Sequence, residues 1–199
     1  MNTAGSSNGW PNYFQGEGIL STNPLVNDMA NWTKIIIGSC DSSVHQGYRN
    51  LPITYKGQKI YFRGSANTRA HLRWINQTFP FFKQALQMVV AGSSTGGIAS
   101  FLWANYIKSL VQSTTPFYLI PDSSILLITK TYLTNLDYVL TMFTNIYKLA
   151  NSDEKTPLEA CNAKYPDQEY NCFFFNSVFI QNSQIKSLFI NSEYDSWAI

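Results

Sequence analysis

Charged residues are scarce in this chain, and their scarcity excludes several classes of protein. Only 13% of the 199 residues are charged, and 14 basic against 12 acidic residues leave a formal net charge of +2. The basic residues form no stripe, so nucleic acid is not expected as a partner. Intrinsic disorder is excluded as well, because 45% of the residues are hydrophobic and 15% aromatic, which is enough to build a substantial core.

Long apolar runs and clusters of metal ligands are missing too. No uninterrupted apolar run approaches the roughly 20 residues of a membrane helix, so no membrane span is expected. The polar segment 1–18 lacks the charged-then-apolar order of a secretion signal. The two histidines and three cysteines are too few and too scattered for a metal site, and no cofactor is predicted.

The cysteines nevertheless favour an oxidising compartment. Cys161 and Cys172 flank a turn-rich segment and are candidates for a local disulfide. Sequons that begin at Asn31 and Asn76 would suit a secreted protein, although such triplets also arise by chance. Cys40 has no evident partner.

Short apolar runs alternate with helical periodicity along the chain. Such alternation favours an α/β fold whose mostly parallel sheet is covered by helices on both faces. The length predicts one domain over 1–199. Strands are predicted over 34–38, 59–62, 85–91, 117–120 and 187–191, and helices over 65–77, 99–110 and 132–149.

One segment between a predicted strand and helix carries a chemical motif. Gly92-x-Ser94-x-Gly96 has the pattern of a nucleophile elbow, in which a serine occupies a sharp strand-to-helix turn. We expect glycine at both flanking positions because the chain must pass close to itself there. The Thr95 amide could then donate to a developing oxyanion, helped by the positive end of the helix.

One alternative to a nucleophile elbow stays open and another is excluded. A flexible Gly/Ser turn would match the same five residues, since such matches are common by chance. A phosphate-binding loop is excluded because no Lys-Ser/Thr follows the glycines. Ser93 is also present, but the glycine spacing selects Ser94.

A serine nucleophile needs an acid and a base. Asp195 follows the last predicted strand, where a carboxylate could orient an imidazole, although most such aspartates only form turns. Hydrolases of this type order the triad as serine, acid, histidine, yet His45 and His71 both precede Ser94. We interpret His45 as a substrate contact or a surface loop residue, and His71 as a solvated helix residue.

The tryptophans have a simpler interpretation. Trp74 and Trp103 are predicted to lie in the core. Trp32 and Trp197 lie near predicted strand ends and could stack on a sugar ring, although ordinary packing is the default interpretation.

Several motifs in consistent order along the chain resemble the pectin acetylesterase family of carboxylesterases. The resemblance covers nearly the whole chain and is far more specific than the elbow by itself. It rests on Gly18-Ile19-Leu20-Ser21, Asn31-Trp32, Cys40-Asp41 with His45 and Gly47, Phe62-Arg63-Gly64, the 92–97 elbow, Asp122-Ser123, Cys172-Phe173-Phe174 and Asn191 to Trp197. Ser39 replaces the tyrosine that usually precedes the Cys-Asp pair.

The resemblance implies an α/β-hydrolase fold with Ser94 as nucleophile and Asp195 as triad acid. Family members also carry an upstream Gly-Gly-Trp-Cys-like segment and a triad histidine beyond the Tyr-Asp-Ser-Trp segment. The chain therefore looks like a partial member of the family, incomplete at both ends. The implied function is removal of acetyl groups from a polysaccharide or another ester by an extracellular protein, which we expect to be a monomer. The alternative is a catalytically incomplete relative that binds carbohydrate or protein.

Overall fold

The computed structural model describes residues 10–11, 13–126, 130, 137–150, 159–173 and 184–195. The chain divides into two compact units, Met1–Cys40 and Asp41–Ile199. The expectation of a single domain over 1–199 stays a prediction.

The first unit is built from turns, in agreement with its Gly, Ser, Asn and Pro content. A 3-10 helix spans Gly18–Leu20, and successive turns follow it. Gly38 lies under the indole of Trp10, so closely that a Cβ at Gly38 would overlap the ring. The strand predicted over 34–38 is wrong. In the described part of the chain this run has no strand partner, and Ile35 and Ile36 are exposed.

The second unit alternates strands and helices. A hairpin joins β1 to β2 through Gly57, whose φ of 76° suits glycine. The strand predicted over 59–62 thus belongs to this hairpin. The elements are β1 (Ile53–Tyr55), β2 (Gln58–Ile60), α1 (Gly64–Thr78), α2 (Pro80–Lys83), β3 (Met88–Ser93), α3 (Thr95–Ser109), β4 (Phe117–Asp122), α4 (Tyr138–Ala150), α5 (Glu159–Lys164), a 3-10 helix (Glu169–Phe173) and β5 (Lys186–Ser187).

Three parallel strands form the sheet in the order β3-β4-β5. β3 and β4 pair over their whole length, from Met88 opposite Phe117 to Ser93 opposite Asp122. β5 is short, and a bridge between Asp122 and Ile190 extends its pairing with β4. The predicted α/β class is confirmed, with a parallel sheet flanked by helices.

The core lies where α3 packs on β3 and β4. Leu102 and Trp103 of α3 and Leu119 of β4 are almost completely buried. Burial of apolar area of this kind contributes about 25 cal/mol per Å². Trp103 is therefore a core residue as predicted. The same prediction for Trp74 is wrong, because its side chain is 57% exposed on α1 and packs edge-on against Phe79.

The predicted helices are confirmed with small shifts at their ends. α1 ends before Pro80, which lacks an amide proton and starts α2 instead. α3 begins four residues earlier than its apolar periodicity indicated, because the elbow runs directly into the helix. α4 is described from Tyr138 to Ala150. The start of the predicted helix, 132–136, lies outside the described residues.

Candidate active site

The turn between β3 and α3 holds Ser94 in a backbone conformation that L-amino acids rarely adopt. Ser94 has φ of 54° and ψ of −124°, and its side chain is exposed. A non-glycine residue in such a region costs on the order of 1–3 kcal/mol and persists only when its surroundings impose it. A reactive serine presented to solvent from a sharp bend has this geometry.

Close passage of the chain imposes the bend. A Cβ on Gly92 would strike the Gly96 carbonyl and lie 2.8 Å from the Gly97 nitrogen. A Cβ on Gly96 would meet nothing within 4 Å, so the steric reason expected for Gly96 is wrong. Gly97 takes that place, because a Cβ there would lie 2.6 Å from the Oγ of Ser124.

The N-terminus of α3 begins immediately after the serine. The Ser94 carbonyl accepts the amides of Gly97 at 2.9 Å and Ile98 at 3.2 Å. The Thr95 amide belongs to the first helical turn, where no carbonyl lies one turn earlier in the helix to accept it. An oxygen that gains negative charge beside this turn would also meet the positive end of the helix dipole.

The carboxyl ends of the three strands meet at this edge of the sheet. The Ser94 amide donates to the Asp122 carbonyl at 2.9 Å. One residue further along, the Ser123 amide donates to the Ile190 carbonyl at 2.7 Å. Ser94, Asp122 and the segment after β5 are therefore joined by a continuous series of backbone hydrogen bonds.

Asp195 lies in the turn that follows Ile190. Its amide bonds to the Ser192 carbonyl at 3.2 Å, and the side-chain amide of Asn191 lies 3.4 Å from its carboxylate. Asn191 also accepts the Ile125 amide at 3.4 Å, which links this turn to the segment after β4. Strands are about 4.8 Å apart, so the ends of β3 and of the segment after β5 are about 10 Å apart.

A loop that precedes the hairpin is anchored by Asp41 to the start of α1. The Asp41 carboxylate accepts the Ser43 hydroxyl at 2.7 Å and the amides of Arg63 at 2.8 Å, Gly64 at 2.5 Å and Ser43 at 3.1 Å. The Ser43 hydroxyl in turn accepts the Gly47 amide at 2.8 Å. Asp41 belongs to the Cys40-Asp41 motif, but its role as the anchor of this loop was not predicted from the sequence. The run Asp-Ser-Ser is the available signal, since Asp often accepts the amide two residues later.

His45 lies within this loop, not at the elbow turn. Its Nδ1 is 2.9 Å from the Thr68 hydroxyl of α1, and its carbonyl accepts the Trp103 indole N–H at 3.1 Å. Trp103 lies in the third turn of α3, about 13 Å along the helix from Ser94. Burial lowers the pKa of His45, Asp41 raises it by a smaller amount, and His71 lowers it further. His71 itself is exposed on α1, as predicted.

The sequence also predicted a disulfide between Cys161 and Cys172 and no metal site. A disulfide joins Cys161 to Cys172, with Cα atoms 6.0 Å apart, and Cys40 is free. The described ranges contain no group of three or more His, Cys, Asp or Glu arranged to hold a metal ion. No helix in them is long and apolar enough to cross a membrane.

Comparison with known families is consistent with this geometry. The family described as pectinacetylesterase matches residues 1–199, the full length of the chain. The chain belongs to the pectin acetylesterase family. This is a family of carboxylic ester hydrolases, and it is the family that the sequence motifs indicate.

Two similar plant proteins are both longer than this chain. Pectin acetylesterase 7 of Arabidopsis thaliana is 26% identical over 98% of the chain and 48% of its own length. Pectin acetylesterase 11 of the same plant is 27% identical over 92% of the chain and 44% of its own length. The chain thus spans about half the length of the curated pectin acetylesterases it matches.

The solved structures support the fold. The Wnt deacylase Notum from Drosophila superposes with a TM-score of 0.79 at 20% identity, over 96% of this chain and 56% of the Notum chain. A second crystal form of Notum gives 0.77. The chain therefore has the Notum-like α/β-hydrolase fold over part of that structure's length.

Proposed function

We propose that this chain carries the nucleophile and the acid of a serine carboxylesterase that removes acetyl groups from a polysaccharide. Ser94 is the nucleophile, the Thr95 amide stabilises the oxyanion, and Asp195 orients the base. The named activity of the plant relatives supports the acetyl ester as substrate. We propose both the acetyl group as the acyl group that is removed and a polysaccharide as the polymer that carries it.

The reaction proceeds through an acyl-enzyme. Ser94 Oγ attacks the ester carbonyl while a histidine accepts the hydroxyl proton, and the negative charge develops on the carbonyl oxygen beside Thr95. The carbon–oxygen bond to the sugar then breaks, and the histidine returns the proton to the leaving sugar oxygen. Water, activated by the same histidine, hydrolyses the acetyl-serine and releases acetate.

The backbone conformation of Ser94 is the observation that carries this proposal. An exposed serine with φ of 54°, directly before a 15-residue helix, matches the requirement of an elbow. The close approach of Gly92 to the Gly96 carbonyl gives that conformation a physical cause. A flexible Gly/Ser turn would need neither feature.

The base is not assigned to either histidine of the chain. His71 is exposed on α1, and the ring of His45 is engaged by Thr68. Of the two interpretations that the sequence leaves for His45, substrate contact and a surface loop residue, we propose substrate contact, and we place the catalytic histidine in sequence that the longer relatives have. The position of both histidines favours a second candidate function, a catalytically incomplete hydrolase-fold protein that binds carbohydrate or protein.

We also propose that the protein is a monomer of the extracellular space or the secretory pathway. The Cys161–Cys172 disulfide supports the oxidising compartment, because such bonds persist mainly there. Extracellular polysaccharides would then be accessible substrates.

Hydrolysis of an aryl acetate tests the proposal. We expect the 199-residue chain to be nearly inactive, and a form extended to the length of its relatives to hydrolyse the ester readily. In the extended form, Ser94→Ala should lower kcat by about 10⁴-fold or more. Ser93→Ala is the matched control and should stay within about tenfold of the wild type. Robust hydrolysis that Ser94→Ala leaves unchanged would contradict the assignment.

A further inference from the structure

A groove in the first unit lies between two irregular stretches, residues 13–23 and 30–36. Its cavity volume is about 800 Å³. Three aromatic side chains line it, and Tyr13, Phe14 and Trp32 are 81%, 63% and 38% exposed. Aromatic rings gathered around one cavity are a frequent mark of a ligand site. We refer to this cavity as the 13–36 groove.

A buried asparagine fixes the shape of the groove. Asn27 is 7% exposed, and its side-chain amide donates to the carbonyls of Ile19 at 2.9 Å and Ser21 at 2.7 Å. Its side-chain oxygen accepts the Met29 amide at 3.0 Å. Asn27 thus joins one wall of the groove to the turn that leads into the other wall. The cavity is preformed, which lowers the entropy cost of binding.

The one charged side chain among the described lining residues is fully occupied. The ammonium of Lys34 donates to the carbonyls of Ala30 at 2.8 Å, Met29 at 3.1 Å and Trp32 at 3.3 Å. An ammonium has three protons, so Lys34 has none left for a ligand. No acidic residue is among the described residues that line the groove. An anionic ligand would therefore lack a donor of opposite charge.

The rest of the lining combines apolar residues such as Leu20 and Ile36 with neutral hydrogen-bonding side chains. Gln15, Thr22 and Asn31 supply amide and hydroxyl groups beside the aromatic rings. A wholly apolar ligand would desolvate these groups without replacing their hydrogen bonds. A nucleic acid or another polyanion would require free cations. The lining matches a ligand that has apolar faces and a hydroxyl-rich rim.

We propose that the 13–36 groove binds a neutral oligosaccharide. The ring of Trp32 packs against the C–H face of a sugar, while Gln15 and Asn31 bind hydroxyl groups around it. The inference goes beyond the proposed esterase activity and does not rest on it, because binding needs no ester cleavage. Oligosaccharide binding and ester hydrolysis are measured separately, so the failure of one proposal can be told from the failure of the other.

Calorimetry and tryptophan fluorescence test this with defined hexasaccharides. The protein is made in a bacterial periplasm, where disulfides form and the Asn31 sequon stays without a glycan. Cellohexaose and xylohexaose are the neutral probes, and hexagalacturonate is the anionic probe of equal length. We expect saturable binding of at least one neutral probe with Kd in the range of about 0.1–1 mM, and weaker binding of hexagalacturonate.

The variants localise the binding. Trp32→Ala should weaken it about tenfold or more, and Trp32→Phe, which keeps a ring, should weaken it less. Trp74→Ala removes a more exposed indole from α1 and should leave Kd unchanged, as should Ser94→Ala. Circular dichroism confirms that each variant is folded.

Four results would overturn the inference. The first is that neither neutral probe binds saturably, and the second is that Trp32→Ala binds as tightly as the wild type. The third is that hexagalacturonate binds more tightly than the neutral probes. The fourth is a dimer, detected by light scattering, that Trp32→Ala dissociates. The last result would mean that a second copy of the chain covers the groove.

Discussion

The Ser94 amide donates a 2.9 Å hydrogen bond to the carbonyl of Asp122 at the end of the neighbouring strand. This bond continues the β3–β4 ladder one residue beyond its last pair, Ser93 with Asp122. It holds the amide of Ser94 to the sheet while the rest of the residue turns into α3. The sheet and the helix together therefore impose the unusual backbone angles of the proposed nucleophile.

The two elbow glycines should respond differently to alanine. Gly92→Ala places a methyl group against the backbone of Gly96, which cannot move without disturbing α3, and we expect a loss of about 2–3 kcal/mol in stability. Gly96→Ala meets open space in the first turn of a helix and should change stability by no more than about 1 kcal/mol. Urea denaturation measures both, and equal losses would contradict the steric account.

Asp41 should be among the most sensitive surface-loop residues. Asp41→Ala leaves the amides of Ser43, Arg63 and Gly64 without their acceptor, so we expect a loss of about 3 kcal/mol in the free energy of unfolding. The exposed Asp28 is the matched control, and its alanine variant should stay within about 0.5 kcal/mol. A loss of similar size in both variants would show that Asp41 has no special anchoring role.

His45 should make stability depend on pH in mildly acidic solution. Its pKa in the folded state is lowered from 6.5, chiefly by burial, while Asp41 opposes and His71 assists the shift. Below pH 6.5 the unfolded chain then binds a proton that the folded chain does not, so stability falls as the pH drops below this value. Well above pH 6.5, the contribution of His45 to stability does not change with pH.

Thermal melts between about pH 5 and pH 7.5 check this prediction. His45→Gln can keep a hydrogen bond to Thr68 and should flatten the acidic slope, whereas His71→Gln should leave most of it. An unchanged slope in His45→Gln would mean that other groups cause the pH dependence.

The disulfide should stabilise the C-terminal part of the second unit. Replacing Cys161 and Cys172 together by alanine is expected to cost about 2–4 kcal/mol, because the bond limits the unfolded chain. Cys40 is free, so Cys40→Ala should leave the melting temperature within about 2 °C of the wild type. If a reducing agent left the wild-type melting temperature unchanged, the disulfide would have no stabilising role.

Local patterns predicted those features whose cause lies within the same segment. The helical period of 99–110 predicted α3, and the glycine spacing located the turn at Ser94. Cys161 and Cys172, the pair suggested by their spacing, are the pair that the structure bridges. The carboxyl-edge position of Ser94 follows from the order of strand and helix along the chain.

Features that depend on distant partners could not be predicted in this way. Residues 34–38 have the composition of a buried strand, but a strand needs a neighbour for its amides and carbonyls, and composition does not supply one. The close approach of Gly97 to Ser124 joins the first turn of α3 to the segment after β4, so no local motif predicts it. Trp74 is apolar, but its exposure depends on which face of α1 meets the core.

Covalent labelling by a fluorophosphonate, followed by peptide mass spectrometry, tests the nucleophile most directly. The account predicts slow labelling of the 199-residue chain, with the adduct on Ser94. It also predicts that Ser94→Ala abolishes the adduct and that Ser93→Ala retains it. An adduct on another residue, an equal yield in Ser94→Ala, or no adduct after prolonged exposure would contradict the assignment of Ser94.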